Sequence, residues 1–137
     1  MSTYSDIIQN YLASTWRGPS VVFAYLFGST VTGQGWKTVK DVDVAVWFRP
    51  DYKLEEGERL REELAKHLGT PVDIVVLNEA PPLLRYEILR NGRLIFCSDE
   101  DERIEREVRM LLEYYDLEPM RTRMESDLKK MIREGRF

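Results

Sequence analysis

The sequence has one cysteine, Cys97, and one histidine, His67, in 137 residues. A single thiol cannot close an intramolecular disulfide, so the chain is not one of the small secreted folds stapled by cystines. The same scarcity excludes a His/Cys zinc site and any centre that needs two histidines. Excess positive charge is missing too: 20 Lys and Arg stand against 24 Asp and Glu, a formal net charge of −4. No basic face is implied, and direct nucleic-acid binding is not expected. Long hydrophobic runs are also absent. The longest, Val21 to Phe27, falls far short of the roughly 20 residues that a membrane helix needs. Met1 to Asp6 has neither a basic stretch nor an apolar stretch of the secretory kind. A cytoplasmic protein without membrane contact is expected.

What the chain has in quantity is surface charge and enough apolar residues for a core. Charged residues make up 32% and hydrophobic ones 43%. That combination describes a well-solvated globule rather than disorder. At this length, residues 1–137 read as one domain.

Helical and extended patterns alternate along it. Tyr4, Ile7, Ile8, Tyr11 and Leu12 recur at helical spacing, with Ser2, Thr3 or Ser5 as caps, before the break at Arg17 to Ser20. Val21 to Phe27 reads as a strand buried on both faces. A second strand is expected over Val42 to Phe48, and a helix from Lys53 to Leu68 that stops at Gly69. Val72 to Leu77 and Leu94 to Cys97 read as further strands, separated by a short helix that opens at Pro81-Pro82. Residues 99–137 form a C-terminal helical segment of two helices parted by Pro119. The first is expected to be capped by Ser98, with Glu102–Arg106 and Glu105–Arg109 paired along its wet side. The second carries Met120, Met124, Leu128, Met131 and Ile132 as a stripe, read as core that also offers an adaptable partner surface. The sum is an α/β fold with a mixed central sheet and helices packed on it.

Three carboxylates stand beside strands. Asp41 and Asp43 bracket Val42, and side chains at i and i+2 of a strand share a face. Asp73 opens the third strand and reaches the first two if those strands are neighbours. Anions so close repel unless a cation lies among them. Hard oxygen donors suit Mg²⁺ or Mn²⁺, the ions of phosphoryl and nucleotidyl transfer. The same spacing in Asp99-Glu100-Asp101 has a simpler origin, since acids are favoured at a helix start. What sets Asp41 and Asp43 apart is Gly28-Ser29 upstream, a turn whose N–H groups and hydroxyl could cradle phosphate. His67 reads as a surface or boundary residue and Cys97 as core. Ser29 has no histidine nearby in sequence to activate it as a covalent nucleophile.

Strand, Gly-Ser, loop, D-x-D on a second strand and Asp on a third: this order resembles the DNA polymerase β-like nucleotidyltransferase superfamily. Phe27-Gly28-Ser29 with Gly33, Asp41 to Val46, and Val72 to Val75 carry the likeness. Ala80 to Phe96 and Tyr114 to Pro119 extend it to the minimal nucleotidyltransferase (MNT) family, the small antitoxins paired with HEPN-domain toxins. The resemblance implies a polymerase β-like fold in which Gly28 and Ser29 contact the nucleotide, while Asp41, Asp43 and Asp73 hold Mg²⁺ or Mn²⁺ and are catalytic. It also implies that ATP donates AMP to a tyrosine hydroxyl of a HEPN ribonuclease toxin, which is thereby neutralised. Two departures are visible: the Ser29–Asp41 loop is one residue longer than usual, and Thr32 stands where a basic residue is common, with Lys37 and Lys40 nearby. Two other readings compete, an antitoxin that acts by binding alone and a nucleotidyltransferase acting on a small hydroxylated molecule.

Overall fold

Runs of β-branched and aromatic residues become four strands in the computed structural model, which describes residues 4–14, 21–28, 42–115 and 121–135. The strands are β1 (Val21–Phe27), β2 (Val42–Phe48), β3 (Val72–Val76) and β4 (Arg93–Cys97). Five helices accompany them among the described residues: α1 (Tyr4–Ser14), α2 (Glu55–Leu68), α3 (Pro82–Asn91), α4 (Glu100–Tyr115) and α5 (Arg121–Arg133). The sheet order is β3-β2-β1-β4. β1 is antiparallel to both of its neighbours, and β2 runs parallel to β3 through the α2 crossover. This is the mixed sheet with packed helices that the sequence pattern predicts.

Alternation along the strands sorts the core onto two faces. Val42, Val44, Val46 and Phe48 of β2 pack with Ala24 and Leu26 of β1 against Ile8, Leu12, Leu60 and Leu64 from α1 and α2. Ala45 and Trp47 face the other way, with Phe23, Tyr25 and Leu77, toward Ile88 of α3 and Met110 of α4. As an interior strand, β1 is buried along nearly its whole length, which accounts for its unbroken apolar run. α2 ends at Gly69, where φ is +69° and the glycine N–H bonds Ala65 O at 2.9 Å. Two side chains shape the β3–α3 turn. Asn78 continues the sheet by accepting from Phe48 N at 2.9 Å and donating to Phe48 O at 2.8 Å. Arg85 reaches back from α3 to Leu77 O and Asn78 O at 2.8 and 2.9 Å.

The C-terminal helices form an outer layer. Leu128 and Ile132 of α5 are buried against Ile104, Val108, Leu111 and Leu112 of α4, with Met124 and Met131 half-buried at the margin. Two expectations need correction here. Asp99 rather than Ser98 caps α4: its Oδ1 accepts Glu102 N–H at 3.0 Å, while the Ser98 hydroxyl donates to Val22 O. Ser98 is drawn off because its backbone N–H continues β4 pairing to that same carbonyl. Glu102–Arg106 forms at 2.9 Å, but Glu105 pairs across helices with Lys129 of α5 at 3.0 Å instead of with Arg109. An interhelical cation was invisible to a count along one helix. The caps Ser2 and Thr3, the break at Arg17 to Ser20 and Pro119 lie outside the described residues.

Candidate active site

β1 stops at Gly28, and the reason is local. Gly28 has φ +77°, a left-handed conformation that side chains disfavour. A Cβ there would also press into the Asp43 carboxylate, overlapping Oδ2 and standing 3.3 Å from Cγ. Both constraints call for glycine. They also establish that Gly28, the residue after β1, lies directly against Asp43.

Sheet register does the rest. Asp43 is paired with Phe27 across β1–β2 and with Asp73 across β2–β3. Adjacent strands run about 4.8 Å apart, and residues in register project to the same side. Asp43 and Asp73 are therefore neighbouring carboxylates on the α3/α4 face, at the end of the sheet where β1 gives way to its turn. Asp43 is half-buried between two strands, whereas Asp73, on the edge strand, is exposed. Asp73 acts through space on Arg61 of α2, whose guanidinium is itself hydrogen-bonded to Glu58.

The structure thus brings Gly28, Asp43 and Asp73 together. Ser29, Gly33 and Asp41, along with Thr32, Lys37 and Lys40, lie outside the described residues. Among the described residues no group of three or more His, Cys, Asp or Glu converges. Two adjacent carboxylates of hard oxygen, with a glycine backbone packed on one of them, are nonetheless a donor set that fits Mg²⁺ or Mn²⁺.

Other groups fall away from this edge. His67 is exposed on α2, sets its ring at a tilt to Tyr11 with centroids 4.7 Å apart, and has Nδ1 2.8 Å from Glu63 O. Burial, as the largest influence, raises the Cys97 thiol above its ordinary value, so it is not an activated nucleophile. A cavity of about 340 Å³ lies at the opposite end of β1 and β2, lined by Val22, Arg49, Asp99, Glu102 and Arg106 among others. Its charges balance, and Arg106 is already bonded to Glu102 and set over the Trp47 ring at 5.1 Å.

One group escaped the sequence reading. Tyr25 of β1 donates its hydroxyl to Glu107 Oε1, and Arg103 Nη1 donates to Glu107 Oε2 at 2.9 Å. All three residues are buried. The signal was available: Arg103 and Glu107 are four apart and fall among Ile104, Val108 and Leu111, on the apolar side of α4.

Comparison with known proteins agrees with this geometry. The family model described as polymerase beta, nucleotidyltransferase, matches residues 7–101, more than half of the chain. No curated protein matches. Among solved structures, a toxin–antitoxin with AMP-PNP is similar at 24% identity and TM-score 0.68, over 90% of this chain and 97% of that one. The toxin–antitoxin MntA–HepT is similar at 22% identity and TM-score 0.63, over 91% and 96%. A tri-AMPylated Shewanella oneidensis HEPN toxin in complex with MNT antitoxin is similar at 22% identity and TM-score 0.61, over 90% and 98%.

Proposed function

Because this chain belongs to the polymerase beta nucleotidyltransferase family, we propose that it is an antitoxin that transfers AMP from ATP to a tyrosine hydroxyl of a partner HEPN ribonuclease toxin in the cytoplasm. The observation that carries the reading is the apposition of Gly28 to Asp43, with Asp73 in register beside it. A phosphate-binding turn and a carboxylate pair at one sheet edge suit nucleotidyl transfer better than any other chemistry these residues offer. The acceptor class is supported by the relative whose HEPN toxin is tri-AMPylated, and the donor by the relative that holds AMP-PNP.

In this mechanism the N–H groups of the Gly28–Ser29 turn and the Ser29 hydroxyl bind triphosphate oxygens, orienting the α-phosphorus for in-line attack. Asp41, Asp43 and Asp73 would hold Mg²⁺ or Mn²⁺, which supplies positive charge to the triphosphate and acidifies the incoming hydroxyl. The tyrosine oxygen bonds to the α-phosphorus as the bond to the leaving pyrophosphate breaks. Asp73 takes the phenolic proton. Its exposure on an edge strand suits that role, because a side chain presented by a large partner can reach it. No described helix is long and apolar enough to cross a membrane.

Incubation with ATP, Mg²⁺ and the partner should add one or more adenylyl groups to the partner, read by intact-mass spectrometry. Asp43→Ala should abolish the addition while leaving the chain folded. A partner that stays unmodified yet is still silenced would establish inhibition by binding alone.

A further inference from the structure

We propose that Tyr25, Glu107 and Arg103 are positioning residues for the nucleotide site: a brace through which α4 holds the end of β1 at the height where Gly28 meets Asp43. The inference rests on the reading of Gly28–Ser29 as the phosphate turn. Tyr25 is 3% exposed, Glu107 6% and Arg103 8%. Both carboxylate oxygens of Glu107 are engaged, Oε1 by the strand through the Tyr25 hydroxyl and Oε2 by its own helix through Arg103 Nη1. Arg103 is steadied in turn by Glu100, bonded to its Nη2. Burying a cluster of polar and ionisable groups contributes little net stability compared with apolar packing of the same volume. Their value lies in direction: hydrogen bonds fix where a strand sits, and methyl contacts do so less sharply.

The location of the brace gives it a purpose. β1 pairs with β4 as Phe23–Cys97 and Ala24–Phe96, then as Tyr25–Leu94, so β4 carries one extra residue, Ile95, at this height. Such a bulge interrupts the ladder. Beyond it lie only Leu26, Phe27 and the left-handed Gly28. On the other side Tyr25 faces Ala45, whose small side chain leaves room for the phenol, and the next pair along this face is Phe27–Asp43. Two residues of strand, roughly 7 Å, therefore separate the braced residue from the level of the catalytic carboxylate. A shift of β1 at Tyr25 is passed to Gly28 with little to absorb it.

Tyr25→Phe removes the hydroxyl and keeps the ring, so it isolates the bond. In the full chain without nucleotide, backbone amides of Leu26, Phe27 and Gly28 should exchange with solvent several-fold faster than in wild type, while those of α2 do not change. Affinity for an α,β-methylene analogue of ATP, whose bridging carbon blocks transfer, should weaken roughly three- to tenfold, the equivalent of one hydrogen bond. Leu128→Ala, which loosens the far side of α4, is the control: it should lower Tm without weakening the analogue. Unchanged exchange at Leu26 to Gly28 overturns the brace. So does a Tyr25→Phe chain that fails to fold, or an affinity loss that follows Tm equally in both variants, since either makes the bond merely structural. A wild-type chain that does not bind the analogue sinks the nucleotidyltransferase reading instead, and the exchange result still decides the brace.

Discussion

At the scale of single residues, Gly28 and Glu107 carry opposite kinds of constraint. Gly28→Ala should cost about 1–2 kcal/mol from its left-handed backbone alone, and more from the collision with Asp43. Gly69→Ala, at an equally left-handed position where a Cβ meets nothing, should lower Tm by the backbone strain alone. Gly28→Ala should lower it further and also lose nucleotide binding. Glu107 is a matter of protons. Burial pushes its carboxyl from an ordinary 4.5 up to about 8, while Arg103 at 2.9 Å pulls the other way. With a folded pKa above the unfolded one, the native chain holds more protons between those two values, so this group's contribution to stability falls as pH rises through that window. Glu107→Gln removes the titration, and the drop in urea midpoint between about pH 5 and about pH 8 should shrink. An undiminished drop would place the pH sensitivity elsewhere.

At the scale of elements, α4 and α5 decide how the methionine stripe is used. Leu128 and Ile132 occupy its buried centre, and Met124 and Met131 its half-buried margin. Leu128→Ala should therefore destabilise the chain by roughly 2–4 kcal/mol, as deletion of a buried leucine commonly does. Met131→Glu should cost less stability and should weaken association with the proposed HEPN partner, measured by calorimetric titration of the two proteins. Equal stability losses for both substitutions, with affinity unchanged, would make the stripe plain core. Periodicity predicted that this face is apolar. It could not say which of its members would be covered, because cover depends on the angle at which α5 meets α4, and that angle is set by contacts between residues far apart in sequence.

At the scale of the whole molecule, the carboxylate edge should couple metal binding to folding. A ligand bound only by the native state raises stability by RT ln(1 + L/Kd), where L is its free concentration, so the gain grows with the logarithm of ligand concentration above Kd. Mn²⁺ should raise Tm, and Asp41→Asn combined with Asp43→Asn should abolish the rise. An equal rise in the double variant would mean that the ion binds elsewhere. The exposed position of Asp73 on the edge strand adds a corollary: Asp73→Asn should slow transfer to the proposed acceptor more than it weakens nucleotide binding. Reaction rate and affinity for the α,β-methylene analogue separate the two effects.

The local chemistry of the sequence was enough to read the kind and order of the elements and to single out Gly28, Ser29, Asp41, Asp43 and Asp73 as site candidates. Strands buried on both faces are written as continuous apolar runs, and a glycine that ends one of them before a D-x-D strand is a pattern that neither packing nor solubility would produce unaided. Tertiary structure alone decided that β2 and β3 lie parallel and in register, which turns two distant aspartates into neighbours. It alone brought Glu107 beneath Tyr25, 82 residues away along the chain, and sent Glu105 to Lys129 rather than to Arg109. Propensity and periodicity act over a few residues. Register, burial and the pairing of charges are settled only when separate elements compete for the same space, and there the buried polar groups take whichever partner the packing brings.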